Sequence, residues 1–161
     1  MYPEKTNNYA SLPRYAGDGG TMDGLTLAFI GDAVYELMLR DLVLSSAAAR
    51  VETLHRDAVY YANASFQAQA AERLLPLLSE EEAGVYKRGR NAHATHTPKN
   101  KTEAEYHKAT GLEALFGWLY LRGESERLQT LFLAAVNETP EIDKLPADKP
   151  RKKSMIRRKL L

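Results

Sequence analysis

The chain has 161 residues, no cysteine and a formal charge of +1, which excludes disulfides, thiolate metal sites and a cysteine nucleophile. Its length suits one domain with a sizeable buried core. The near-neutral total hides an asymmetry, because Thr139–Leu161 holds eight Lys/Arg against three acids and leaves the preceding residues at net −4.

In chain order, Met1–Gly20 is polar, lacks a helical period and contains no secretory h-region. No apolar run reaches the length of a membrane span, so a cytoplasmic protein is expected. Leu25–Leu44, LTLAFIGDAVYELMLRDLVL, is apolar nearly all round, which predicts a buried helix N-capped by Thr21 with Asp23 in its first turn. At 100° per residue Leu25, Ala28, Tyr35 and Leu39 share one face, with Asp32 in its middle. A carboxylate buried there is costly unless something neutralises it. Glu52–Leu75 carries apolar or small residues at spacings of three and four and reads as one second helix, interrupted at Pro76. Ser79-Glu80-Glu81-Glu82 is a capping box that opens a short helix ending near Gly89.

Arg90–Asn100 reads as a loop, since Thr97-Pro98 and Asn100 resist helix. Thr102-Glu103-Ala104-Glu105 is another capping box, followed by a helix to Leu121 with Gly123 as its C′ residue. A last helix spans Ser125–Val136, with Leu128, Leu131, Phe132 and Ala135 on one stripe. No alternating strand pattern or internal repeat occurs, so the residues predict an all-α fold of five or six helices. The organisation expected is a polar segment over 1–20, a folded domain over 21–138 and a basic tail over 139–161.

Glu113 repeats the anomaly of Asp32: it sits on an apolar helix among Tyr106, Ala109, Phe116, Gly117 and Tyr120. Each acid could be paired with an Arg or Lys; two of them on two apolar helices also suit convergence on one divalent cation, for which hard oxygen ligands favour Mg²⁺ or Mn²⁺. Lys87–Lys101, KRGRNAHATHTPKNK, is basic and free of acids, which points to a polyanion. A phosphodiester substrate joins the two observations. His93-x-x-His96 has a spacing that a metal could use on a helix, but it lies in a loop without a third ligand. His55 and His107 read as packed or exposed helix residues, and Trp118 as core or interface.

Leu27–Glu36, LAFIGDAVYE, resembles the signature helix of ribonuclease III, L-E-F-L-G-D-A-x-x-E, and Glu113–Gly117 resembles the end of its D-x-x-E-A-L-x-G element. The likeness is greatest to Mini-ribonuclease III, the short bacterial branch. Four of that branch's motifs stand in order, at Gly24–Glu36, Lys87–Ala92, Thr97–Asn100 and Leu112–Leu121. Full-length ribonuclease III has four acids at its metal centre; here Ala28 and Thr110 occupy two of those positions, as in the short branch, and Asp32 and Glu113 remain. The 23 residues after Glu138 are fewer than the ~40 that an unaided fold needs, so the family's usual RNA-binding domain is not expected there.

The resemblance implies a ribonuclease III-like catalytic domain of five to seven helices, paired as a homodimer around one RNA duplex. It implies a divalent-metal-dependent endoribonuclease that cuts double-stranded or structured RNA to leave a 5′-phosphate and a 3′-hydroxyl. Asp32 and Glu113 become the catalytic metal ligands, for Mg²⁺ with Mn²⁺ as a substitute. Lys87, Arg88, Arg90, Asn91, Lys99 and Lys101 become the RNA-binding set. The branch trims precursor 23S ribosomal RNA in ribosome biogenesis, so that RNA is the expected substrate and a ribosomal protein a candidate partner. The rival reading is a catalytically silent ribonuclease III-like module that binds RNA or a ribosomal particle, supported by Ala28 and Thr110.

Overall fold

The computed structural model describes residues 15–46, 50–92 and 102–137. Within them lie six α-helices: α1 (Gly24–Ser46), α2 (Val51–Ala62), α3 (Ala64–Leu74), α4 (Glu80–Arg90), α5 (Glu103–Leu121) and α6 (Ser125–Asn137). A 3₁₀ turn over Leu75–Leu77 joins α3 to α4. The described residues contain no strand, so the all-α expectation holds. No described helix is long and apolar enough to cross a membrane. Lys99, Lys101, His93, His96 and the basic tail lie outside the described residues.

Helix α5 is the axis of the fold, packed against α1, α3, α4 and α6. Its Leu112, Leu115, Phe116 and Leu119 are buried together with Leu27, Tyr35 and Leu39 of α1 and Leu131 of α6. Each such side chain contributes roughly 1.5–3 kcal/mol through burial. Tyr35 stands at the centre, edge-on to Phe116 at 5.5 Å and to Phe132 at 5.7 Å between ring centroids. Its hydroxyl donates to the Tyr61 carbonyl at 3.2 Å, which ties α1 to α2. Burial drives the Tyr35 phenol far above its ordinary pKa, and pushes that of Tyr61 up to about 12. Both therefore remain protonated, and Tyr35 remains a donor.

Three sequence expectations change. Asp23, not Thr21, caps α1: its Oδ1 accepts from the Thr26 N–H at 2.9 Å, and its carbonyl accepts from Leu27. The second helix is two, because Asn63 has extended backbone (φ −71°, ψ 151°) and its side chain accepts from the Phe66 N–H. An Asn that can satisfy an orphan N–H competes with helix continuation, and here it caps α3 instead. Asp32, expected to be buried, is exposed, and Glu113 is half-buried. The apolar character of α1 extends all round because its outward stripe is apolar too: Phe29 is 82% exposed and Leu37 65%.

Other expectations hold. Ser79 and Glu82 form the reciprocal capping box of α4. Glu82, almost fully buried, also accepts two bonds from Arg127 of α6, at 2.7 and 2.8 Å. Arg127 donates further to the Leu77 carbonyl, so one ion pair joins α4, α6 and the 3₁₀ turn. Of the box expected at Thr102–Glu105, at the start of α5, the forward half stands, Thr102 accepting from the Glu105 N–H, while the Glu105 carboxylate accepts from the Ser65 hydroxyl of α3 at 2.8 Å. At the other end, Gly123 has φ +72° and donates to Tyr120, while Glu124 donates back to Leu119. That pair of bonds is a Schellman stop, which a residue with a Cβ would strain.

Candidate active site

The site begins with two helices closer together than side chains allow. A Cβ placed on Gly31 of α1 would lie 1.7 Å from the Glu113 carbonyl oxygen of α5. One placed on Gly117 of α5 would lie 2.1 Å from the Leu27 carbonyl oxygen. Glycine at both positions lets backbone meet backbone, and the crossing sets the main-chain positions of the two candidate ligands. Asp32 follows Gly31 directly, and Glu113 is the residue whose carbonyl Gly31 touches. The charge of Glu113 adds to the upward shift of the Tyr35 phenol, behind burial as the main cause. Glu36, one turn beyond Asp32, pairs with Arg40 at 2.9 Å. That i,i+4 pair gives Glu36 a structural use on the helix surface.

The basic segment arrives from α4. Lys87, Arg88 and Arg90 occupy its last turn and Asn91 its C-cap, and all four are exposed. Positive charge at a helix C-terminus also complements the dipole, so part of this pattern serves α4 itself. Gly89 is buried between them: a Cβ there would lie 2.4 Å from the Ala114 Cβ and 2.9 Å from the Thr110 carbonyl oxygen. The end of α4 therefore runs against the α5 turn that carries Glu113. Gly24, at the start of α1, meets the same end of α4, with its Cβ position 2.4 Å from the Arg88 carbonyl oxygen. At 1.5 Å per residue, Asp32 lies about 12 Å along α1 from that contact.

Arg88 differs from its neighbours. Its Nη1 donates to the Gly20 carbonyl at 3.0 Å and to the Met22 carbonyl at 2.8 Å. Sequence reading grouped Arg88 with the other basic residues, because charge and spacing do not reveal which guanidinium folds back on its own chain.

The two positions without acids are closed. Ala28 is buried, and Thr110 is 4% exposed with its hydroxyl donating to the Tyr106 carbonyl at 3.0 Å. Among the described residues no group of three or more His, Cys, Asp or Glu could hold a metal ion. The crossing brings the main chains at Asp32 and Glu113 together, and one or two carboxylates are the protein ligands that Mg²⁺, which keeps several waters, commonly takes.

A family model described as the ribonuclease III domain matches residues 25–124. Mini-ribonuclease 3 of Symbiobacterium thermophilum is 45% identical over 117 residues, which cover 73% of this chain and 90% of that protein. Mini-ribonuclease 3 of Thermoanaerobacter sp. is 43% identical, over 75% of this chain and 85% of that one. The counterpart from Enterococcus faecalis is 41% identical, over 74% and 95%. The crystal structure of a Fusobacterium nucleatum protein superimposes with a TM-score of 0.69 at 31% identity, covering 76% of this chain and 99% of that one.

Proposed function

This chain belongs to the ribonuclease III family, in its Mini-ribonuclease 3 branch, and is an endoribonuclease; we propose that it cuts double-stranded or structured RNA in a divalent-metal-dependent reaction. The observation that carries the finer reading is the glycine crossing of α1 and α5, which puts Asp32 and Glu113 at one junction with the basic end of α4 packed beside it.

Asp32 and Glu113 would hold the cation, Mg²⁺ with Mn²⁺ as a substitute. When bound, it supplies an activated water and neutralises charge growing on the phosphate, giving a 5′-phosphate and a 3′-hydroxyl. Asp32 is exposed and Glu113 half-buried, which suits approach by a duplex backbone. Lys87, Arg90 and Asn91 hold phosphates or 2′-hydroxyls, and Lys99 and Lys101 add longer-range attraction. Duplex RNA is read mainly by its shape, so these side chains need no base code. Precursor 23S ribosomal RNA is the substrate we assign, from the branch to which the chain belongs.

The outward stripe of α1, with Phe29, Leu37 and Leu44 exposed, supports a homodimer joined through this helix. A dimer of this kind carries two copies of the junction, one for each strand of a duplex. The rival reading, a silent RNA-binding module, draws on the closed positions of Ala28 and Thr110.

One experiment separates the two. Long duplex RNA is incubated at low salt, with and without Mg²⁺, with the protein and with Asp32→Asn and Glu113→Gln. The nuclease reading expects Mg²⁺-dependent cutting that both variants lose while still binding RNA. Binding by the unmodified protein without cutting, in Mg²⁺ or Mn²⁺, would overturn it in favour of the silent module.

A further inference from the structure

Within Lys87–Asn91, four exposed polar or charged side chains share one helix end, yet one is already engaged. The Arg88 guanidinium bonds two carbonyls, Gly20 and Met22, of the turn that leads into α1. The backbone of the same residue is in contact with α1 as well, because Gly24 packs on the Arg88 carbonyl. Arg88 thus grips the entrance of α1 from its side chain and its main chain. The turn it holds is short and internally bonded: Met22 N–H donates to Gly19, Thr26 N–H to Asp23 Oδ1 and Leu27 N–H to the Asp23 carbonyl.

We propose that Arg88 is a positioning residue rather than an RNA ligand, tying the lead of α1 to the end of α4 so that Asp32 and the phosphate-holding residues keep one register. The physical case is a competition. Both N–H groups of Nη1 are held by backbone carbonyls, which fixes the guanidinium against the protein; to swing toward a phosphate it must release both and gain one contact that solvent and salt screen. Lys87 and Arg90 are exposed at the helix end and, among the described residues, are not bonded to another element. The basic end of α4 is therefore divided, with Lys87, Arg90 and Asn91 facing RNA and Arg88 facing the protein. This division rests on the nuclease reading.

Three variants test it in the full-length protein: Arg88→Met, Arg90→Met and Lys87→Met. The first measurement is the slope of log Kobs against log salt for a duplex RNA. Removing a phosphate contact lowers that slope by about 0.7–0.9. Arg90→Met or Lys87→Met should lower it so, and Arg88→Met should leave it unchanged. The second is the single-turnover cutting rate at saturating RNA, which should fall for Arg88→Met while the half-saturating RNA concentration stays constant.

The third needs no RNA. Amide exchange should quicken at Met22, Thr26 and Leu27 in Arg88→Met but not in Arg90→Met, with α3 and α6 unaffected in both. Arg88→Lys, which keeps a charged donor on the stem, should recover part of that protection, and it replaces the Met variant if that one fails to fold. A slope for Arg88→Met that drops as far as for Arg90→Met would overturn the division. Unchanged exchange at the three amides would overturn it independently. An unmodified protein that neither binds nor cuts duplex RNA would sink the nuclease reading, while the exchange result would still decide whether Arg88 holds the entrance of α1.

Discussion

Replacing Gly31 by Ala adds one methyl group where the backbones of α1 and α5 touch. The new Cβ would lie 1.7 Å from the Glu113 oxygen, 2.6 Å from its carbonyl carbon and 2.7 Å from the Gly117 nitrogen. An ordinary C···O contact is about 3.3 Å, so the helices must separate by roughly 1.5 Å. No rotamer change can absorb this, because all three atoms are main-chain. Alanine is the better helix former by about 1 kcal/mol. Overpacking costs about 1–3 kcal/mol, and a clash of backbone on backbone belongs at the top of that range. The net expectation is a loss of about 2 kcal/mol, or a fall in Tm of about 8 °C for a domain of this size. A displacement of about 1 Å at a reacting centre can also cost on the order of 100-fold in rate, so the folded variant should cut far more slowly. Gly84→Ala is the internal control: it lies on exposed α4 surface and its Cβ would meet nothing within 4 Å. Relief of glycine's entropy should raise stability by about 0.5–1 kcal/mol there. Thermal melts followed by circular dichroism, with cutting assayed well below both midpoints, compare the two. A Gly31→Ala protein melting at or above the unmodified one would refute the reasoning.

The Glu82–Arg127 pair makes stability depend on pH. Hydrogen bonding to Arg127 holds the Glu82 carboxyl below its ordinary value of 4.5. Its contribution is therefore complete above that unfolded value and is lost as pH falls through the lower folded one. Glu82→Gln should cost about 2 kcal/mol at neutral pH in denaturant titrations, and the gap from the unmodified protein should narrow in acid. A gap that stays constant into acid would contradict this. Asn63→Ala removes the cap of α3 and should cost about 1 kcal/mol in the same assay. Leu37→Glu puts a charge in the apolar stripe of α1; the proposed homodimer expects light scattering to report a dimer for the unmodified protein and a monomer for the variant, with no loss of helix. An unchanged mass would place any dimer contact elsewhere.

Much of the fold was readable because its signals are local. The box at Ser79–Glu82, the stop at Gly123 and the stripe of α6 need only neighbours in sequence, and each stands as expected. The break at Asn63 was missed because the residues on either side keep a helical period, while a side-chain oxygen bonded to the Phe66 N–H ends the helix. Asp32 was expected to be buried because periodicity counts apolar residues and does not know which side faces a partner. Helix pattern and motifs singled out the acids, whereas the close approach of their helices comes from Gly31 and Gly117, whose role appears only when α1 and α5 are placed together. Arg88 was grouped with its neighbours for the same reason, since its bonds reach residues more than sixty positions away.

The crossing of α1 and α5 also limits how this protein can drift. Every missense change at Gly31 or Gly117 introduces a Cβ, so neither codon has a mild amino-acid replacement to pass through. A library built to alter the grip on RNA should hold those two codons and that of Arg88 fixed and spend its diversity on Lys87, Arg90 and Asn91. On the proposed reading, variation at those three changes the hold on RNA and leaves the spacing of the helices intact.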